Sequence, residues 1–485
     1  MDMTNLKPEI VWRFFHQICQ VPHPSKKEGK IIQYLESFAK EYNVAVKKDA
    51  AGNILMSKPA TPGYEDRPVV ILQSHMDMVC EKNSDKEFDF DNDPIETIVD
   101  GDWLRANGTT LGADNGIGMA AELALLASDN IEHGPIECLF TVDEETGLTG
   151  AKALESGFMT GKILLNLDSE DEGELFIGCA GGKDTQAVFT YEPLPAPGNL
   201  LYFRIDVKGL KGGHSGCDIH LGLGNANKIL VRFLYLLKKK IGLTLCLFDG
   251  GNLRNAIARE AFAVIGLASE NKEEVVAMLN HFAADVEHEL KQVDANVKIT
   301  MSSADKPESC LDDVTAGKLI YSLHACPHGV KAMSRDIEGL VEASTNLASV
   351  KMKEEGKIVV GTSQRSSVES SKAEIANQVA SVFLLAGAEV TQGDGYPGWA
   401  PNPDSKVLKV AEETYKHLFN KEPKIMAIHA GLECGLFLEK YPYLDMISFG
   451  PTLRDVHSPN ERIEIGTVGL WWQHLLELLK TISSK

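Results

Sequence analysis

Residues 68–77 read Pro68-Val69-Val70-Ile71-Leu72-Gln73-Ser74-His75-Met76-Asp77. A short, nearly continuous apolar run of this kind predicts a strand buried on both faces of a parallel sheet. Polar residues able to bind a ligand follow it at once. Three further stretches repeat the pattern. Ile136 to Val142 runs into Asp143-Glu144-Glu145, Lys162 to Leu167 into Asp168-Ser169-Glu170, and Leu444 to Phe449 through Gly450-Pro451 to His457. In open α/β sheets, ligands bind beyond the carboxyl ends of the strands. Clusters of His, Asp and Glu that lie far apart in the chain are therefore expected to converge on one crevice.

The flanks of these runs extend the reading. Strand-like segments alternate with helical patterns in the first and last parts of the chain, the α/β signal. The middle has another texture. Strands over Leu201–Val207 and Ala261–Ala268 alternate with amphipathic helices over Gly224–Lys240, Lys272–Gln292 and Ala373–Ala386, and Pro/Gly clusters lie at 193–198 and 393–398. A chain of 485 residues exceeds the roughly 250–300 at which single cores stop growing. The expected plan is an α/β domain with a mostly parallel sheet and flanking helices, in two segments (1–182 and 395–485), interrupted by an inserted α+β lid domain (183–394).

Composition narrows the function classes. With 48 Lys and Arg against 69 Asp and Glu, the net charge is −21, which argues against nucleic acid and anionic membrane surfaces as partners. No apolar run approaches the ~18 residues of a membrane span, and Met1 to Lys26 lacks a signal-peptide core. Nine cysteines without a Cys-x-x-Cys pair fit a reducing, cytoplasmic setting and argue against a thiolate metal cluster.

The chemistry follows from residue types. Hydrolysing an amide needs an activated water, a polarised carbonyl and a proton shuttle, and two metal ions about 3.5–4 Å apart supply the first two. Asp114 precedes a helix over Ile117–Leu126 that is apolar on nearly every side. It reads either as an N-cap or as the carboxylate that bridges two cations. His75 and Asp168 would complete the ligands of one ion, Glu145 and His457 those of the other. Nitrogen and carboxylate donors suit Zn²⁺, with Mn²⁺ or Co²⁺ as alternatives. Neighbouring residues at a strand end point in different directions, so Glu145 is assigned to metal and Glu144 to the water, as general base and then acid. Asp77 would fix the tautomer of His75. A single histidine after a strand is usually structural; it is the joint arrangement that points to a site. Gly181-Gly182-Lys183 lacks the spacing of a phosphate loop, and no Gly-x-Ser-x-Gly elbow precedes a suitable helix.

At these motifs the sequence resembles the aminoacyl-histidine dipeptidases, a branch of the co-catalytic zinc metallopeptidases that also include carboxypeptidase G, aminoacylase and cytosolic non-specific dipeptidases. The matching stretches are Cys19 to Ser25, His75 to Val79, Thr109 to Gly118, Asp143 to Gly147, Asn166 to Glu170, Gly209 to Gly216, Gly222 to Lys228, His429 to Phe437 and His457-Ser458-Pro459. The resemblance implies the same metal and base roles. It further implies that His214 stabilises the tetrahedral intermediate, that Asn255 and Arg365 hold the substrate's carbonyl and carboxylate, and that Gly431 gives a backbone contact nearby. It departs from the wider family at Ala256-Ile257-Ala258 and at Asp455-Val456. The expected activity is cleavage of unblocked dipeptides, Xaa-His and β-alanyl-histidine among them. An N-acyl amino acid deacylase and an inactive metal-binding scaffold are the alternatives, and a homodimer stays open.

Overall fold

The computed structural model describes residues 3–353 and 356–482. The chain forms two compact units. The first takes in the chain up to Gly178, Trp399–Ala427 and the chain from Leu432; the second takes in Cys179–Gly398 and Ile428–Gly431.

The four apolar runs are strands of the first unit: β1 (Val70–His75), β2 (Ile136–Thr141), β3 (Ile163–Asn166) and β4 (Asp445–Ser448). They lie side by side in the order β2-β1-β3-β4, and all are parallel. Four more strands complete an eight-stranded sheet, Ala45–Lys48 and Ile54–Lys58 beyond β2, and Glu174–Cys179 and Lys424–Ile428 beyond β4; Ile54–Lys58 runs antiparallel to β2, and Glu174–Cys179 to β4. The mostly parallel sheet expected from the sequence is present. Every residue of β1 and β2 is buried, which is why these runs carry no apolar/polar alternation.

The polar residues inside these strands are paired with one another. Gln73, Asn166 and Ser448 stand at one register on β1, β3 and β4. Asn166 Nδ2 donates to Gln73 Oε1 and Ser448 Oγ to Asn166 Oδ1, each at 2.5 Å. Gln73 Nε2 and Thr141 Oγ1 both donate to Glu433 Oε2, at 2.6 and 2.7 Å. Unpaired, such groups would oppose burial by a few kcal/mol each; joined in a row, they hold the strand ends in one register.

Helix α1 (Ala113–Ala127) is buried along nearly all of its length. Small residues let it approach its neighbours: a Cβ on Gly116 would sit 3.2 Å from the Phe15 ring. Asp114 and Asn115 have non-helical backbone, with φ −87°, ψ 105° and φ −110°, ψ 33°. They form a turn ahead of the regular helix.

The second unit carries the antiparallel insert, a nine-stranded sheet centred on Val341–Lys353 and Lys357–Ser366. Helices Ala226–Lys240, Lys272–Leu290, Asp313–Ala325 and Glu369–Leu385 add Phe233, Phe282, Leu319 and Phe383 to its core. Among the described residues, no helix is long and apolar enough to cross a membrane.

The ends of β3 and β4 approach each other closely. A Cβ on Gly450 would lie 1.7 Å from the Ser169 carbonyl oxygen, and Ser169 Oγ lies 2.6 Å from Ser448 Oγ. Gly450→Ala is expected to destabilise the fold by about 2 kcal/mol through forced backbone displacement. Urea unfolding measures it, and an unchanged midpoint would show that the close approach is dispensable.

Candidate metal centre

β1 ends at His75. Its Nδ1 lies 3.0 Å from the Asp77 carbonyl oxygen and 3.5 Å from Asp77 Oδ1. A carbonyl oxygen only accepts, so Nδ1 carries the proton and Nε2 is left to face the crevice. The Asp77 carboxylate accepts from Glu144 N (2.9 Å), Glu145 N (3.3 Å) and Ser25 Oγ (2.8 Å). One aspartate thus ties the end of β1 to the turn after β2.

That turn, Glu144–Gly147, follows Asp143, whose φ of +50° is the left-handed region that non-glycine residues rarely adopt. Asp143 is held there from both sides. Its carboxylate accepts from Thr146 and Thr149 hydroxyls, and its N–H donates to Glu28 Oε1 at 3.0 Å. After β4 the chain reaches His457, also at positive φ, +61°.

The side chains gathered here fall into two sets around one carboxylate. Asp114 Oδ1 lies 3.1 Å from His75 Nε2, and Asp114 Oδ2 lies 3.2 Å from His457 Nε2. Asp168 Oδ1 is 3.4 Å from His75 Nε2, and Glu145 Oε2 is 3.0 Å from His457 Nε2. Asn115 Nδ2 donates to Asp168 Oδ1 at 2.5 Å and to the Leu167 carbonyl at 2.9 Å, which anchors the Asp168 end. His75, Asp114 and Glu145 offer ligand atoms within 4.8 Å of one another.

The electrostatics are those of a site short of positive charge. Burial, joined by Asp168, Glu145 and Glu433, pushes Glu144 well above the usual carboxylate range. Burial and Asp114 push Glu145 up, and burial raises Asp168 despite His75. Glu170 is raised to about 8 by burial, Asp114 and Asp168. Hydrogen bonds to Asp114 and Glu145 lift His457 to about 11. Burial works against a charged His75, but Asp168 and Asp114 outweigh it and hold its pKa well above the ordinary value. Glu145 Oε1 is buried without a hydrogen-bond partner. Two nitrogen and three carboxylate ligand types, crowded and under-neutralised, fit a pair of divalent cations.

The second unit assembles a different constellation. Arg365 is buried on its strand; Nη1 donates to the Tyr396 hydroxyl at 2.9 Å, while Nε has no partner. Its Nη2 lies 3.5 Å from His214 Nε2. His214 Nδ1 accepts from Cys217 N at 3.0 Å and Gly216 N at 3.3 Å, so the neutral ring carries its proton on Nε2. Burial and Arg365 hold His214 down at about 4. Two donors therefore face each other with no acceptor between them, as suits an anionic or carbonyl ligand. The Asn255 side chain is exposed, and its carbonyl accepts from Ser215 N at 2.7 Å, beside the His214↔Ala256 bridge. A Cβ on Gly431 would meet the Tyr396 ring at 2.8 Å. Tyr396 and the His429–Ser344 pair (2.7 Å) had no assignment from sequence, nor did Glu433 and Glu461. Glu461 stands four residues after His457, close enough in sequence to have drawn notice.

A cluster of histidines and carboxylates at the carboxyl edge of a parallel sheet suits a metallohydrolase. Residues 71–480 match the model of Peptidase family M20/M25/M40, and the chain belongs to that family. It is 44% identical over 484 residues to the cytosol non-specific dipeptidase of Escherichia coli (strain K12), with 100% of both chains covered. It is also 44% identical to the aminoacylhistidine dipeptidase of Vibrio alginolyticus, whose crystal structure superposes with a TM-score of 0.92 over 100% of this chain and 99% of that one. A tripeptidase from Staphylococcus aureus, 18% identical over the whole of both chains, shares the fold at a TM-score of 0.58.

Two outcomes follow. Removing divalent metal with a chelator is expected to lower the melting temperature, and adding it back at a hundredfold excess over Kd to restore about 2.7 kcal/mol; calorimetry with and without metal checks this. Burial and Arg365 hold His429 at about 3 against an ordinary 6.5. Below pH 6.5 the unfolded chain takes up a proton that the folded chain refuses, so stability falls as pH falls. The loss between pH 7 and pH 5 is expected to be smaller in His429→Gln by about 2 kcal/mol, as read from urea unfolding at the two pH values.

Proposed function

We propose that the protein is a cytoplasmic dipeptidase that hydrolyses unblocked dipeptides, with histidine favoured at the second position and β-alanyl-histidine among its substrates. The observation that carries this reading is the split of Asp114, one carboxylate oxygen toward His75 and the other toward His457. That geometry suits a shared ligand of two ions, with His75 and Asp168 on one side and Glu145 and His457 on the other. Zn²⁺ is the first choice, and Mn²⁺ or Co²⁺ also suit these donors. Bound divalent ions would supply the charge that makes a water nucleophilic near neutral pH and polarises the scissile carbonyl.

The chain's own groups do the rest. The Glu144 carboxylate accepts no hydrogen bond from the described residues, whereas that of Glu145 meets His457, and it is free to take a proton from the water and return it to the leaving amine. Asp77 keeps the Glu144 turn and His75 in fixed relation. His214, neutral with its proton on Nε2, donates to the oxyanion. Arg365, with the Tyr396 hydroxyl beside it, holds the substrate's terminal carboxylate. Asn255 contacts the carbonyl, and Gly431 leaves room where a side chain would collide. The second unit then acts as a lid that selects two-residue substrates by the reach from Arg365.

Glu144→Ala is expected to lose all but a few per cent of turnover while binding two metal ions per chain; retained turnover removes it from the base role. A panel of free dipeptides, N-acylated dipeptides and tripeptides, assayed before and after chelation, tests the substrate class. Metal-restored cleavage confined to free dipeptides is the expected result. Cleavage of only the N-acylated set would make the protein a deacylase, and tripeptides cleaved equally fast would overturn the reach argument.

A further inference from the structure

Glu461 lies just ahead of the strand Arg462–Glu464, which pairs with Trp103–Ala106. Its side chain is buried, with 2% of the residue exposed, and its carboxylate meets four successive backbone N–H groups. Oε2 accepts from Leu111 (2.7 Å) and Gly112 (3.1 Å); Oε1 accepts from Ala113 (2.8 Å) and Asp114 (3.3 Å). Gly112, at φ +71°, turns the chain so that these donors converge, and a Cβ there would press on Met78 Sδ at 3.0 Å.

We infer that Glu461 is a positioning residue of the metal centre: it fixes the 111–114 turn to the His457 segment, so that the two oxygens of Asp114 face His75 and His457 at once. An ordinary helix cap is local and satisfies one or two N–H groups. This carboxylate comes from 347 residues further along the chain than Asp114, takes all four N–H groups, and ends on the backbone of Asp114 itself. Only three residues separate it from His457, so one side chain sets the spacing between the shared carboxylate and a histidine it faces. Shared coordination tolerates about 0.5 Å of displacement, and a turn with four unsatisfied N–H groups would not hold that. The inference rests on Asp114 as the shared ligand.

Glu461→Gln tests it. The amide offers one oxygen and sets an NH2 group against the remaining backbone donors. Metal content of the purified holoenzyme is measured through graded chelation, with melting temperature and kinetics alongside. The expected result is a folded protein whose second ion is held about tenfold or more weakly, the usual scale for groups that orient ligands, with kcat reduced and KM little changed. A lowered melting temperature with unaltered metal retention and kcat would reduce Glu461 to a helix cap and overturn the inference. If Glu461→Gln yields no folded protein, Glu461→Asp, which keeps the charge but shortens the reach, is read by the same criteria. Asp114→Asn separates the two claims. If it retains both ions, the shared-ligand reading fails; if it loses one while Glu461→Gln keeps both, only the positioning role fails.

Discussion

Asp114, Glu144, Glu145, Asp168 and Glu170 bring five carboxyl groups into one buried crevice, with His75 and His457 among them. Like charges so placed repel strongly at low local dielectric. Burial and mutual repulsion raise Glu144, Glu145, Asp168 and Glu170 above the ordinary carboxylate range, whereas Asp114, between two histidines, is held below it. Cations are the general remedy for such crowding, and the fold has to keep the groups together until they arrive. Much of the first unit can be understood as meeting that demand.

The parallel sheet meets it with a rigid floor. Four strands ending on one edge deliver side chains from distant parts of the chain, and the row Gln73–Asn166–Ser448 with Glu433 prevents slippage. A slip of one residue would turn the strand-end residues to the other face of the sheet. Beyond the strand ends, geometry is set by turns under constraint. Asp143 and His457 sit at positive φ, a conformation that persists only where surrounding contacts enforce it. At Asp143 those contacts are Thr146, Thr149 and Glu28.

This division explains what could be read from the sequence. The strands were legible because burial on both faces leaves an unbroken apolar run, and the residues after each run announced themselves by type. The insert was legible as a change of period from continuous runs to alternating strands and amphipathic helices. Glu461 and Glu433 were not legible as parts of the site, because their meaning lies in partners hundreds of residues away: four backbone N–H groups for one, Gln73 and Thr141 for the other. Apart from the nearness of Glu461 to His457 in the chain, nothing local distinguishes either from a solvated glutamate. Tyr396 escaped for the same reason, since its hydroxyl matters only beside Arg365.

The neighbouring glutamates show how one turn can give two chemically alike residues different tasks. Glu145 is committed: Oε2 meets His457 at 3.0 Å, and Oε1 is buried and unpartnered, which suits a ligand position. Glu144 is uncommitted, and its affinity for a proton is the resultant of opposing influences. Burial, Asp168, Glu145 and Glu433 raise it; His75 lowers it. Positive charge held by Glu145, Asp114 and Asp168 would lower it further, toward the range where a carboxylate both takes and returns a proton near neutral pH. On this view Glu433 has two effects. It joins the row that registers the strands, and it adds to the field that keeps Glu144 basic. A side chain fixed by the sheet thereby bears on the chemistry above it without touching the substrate.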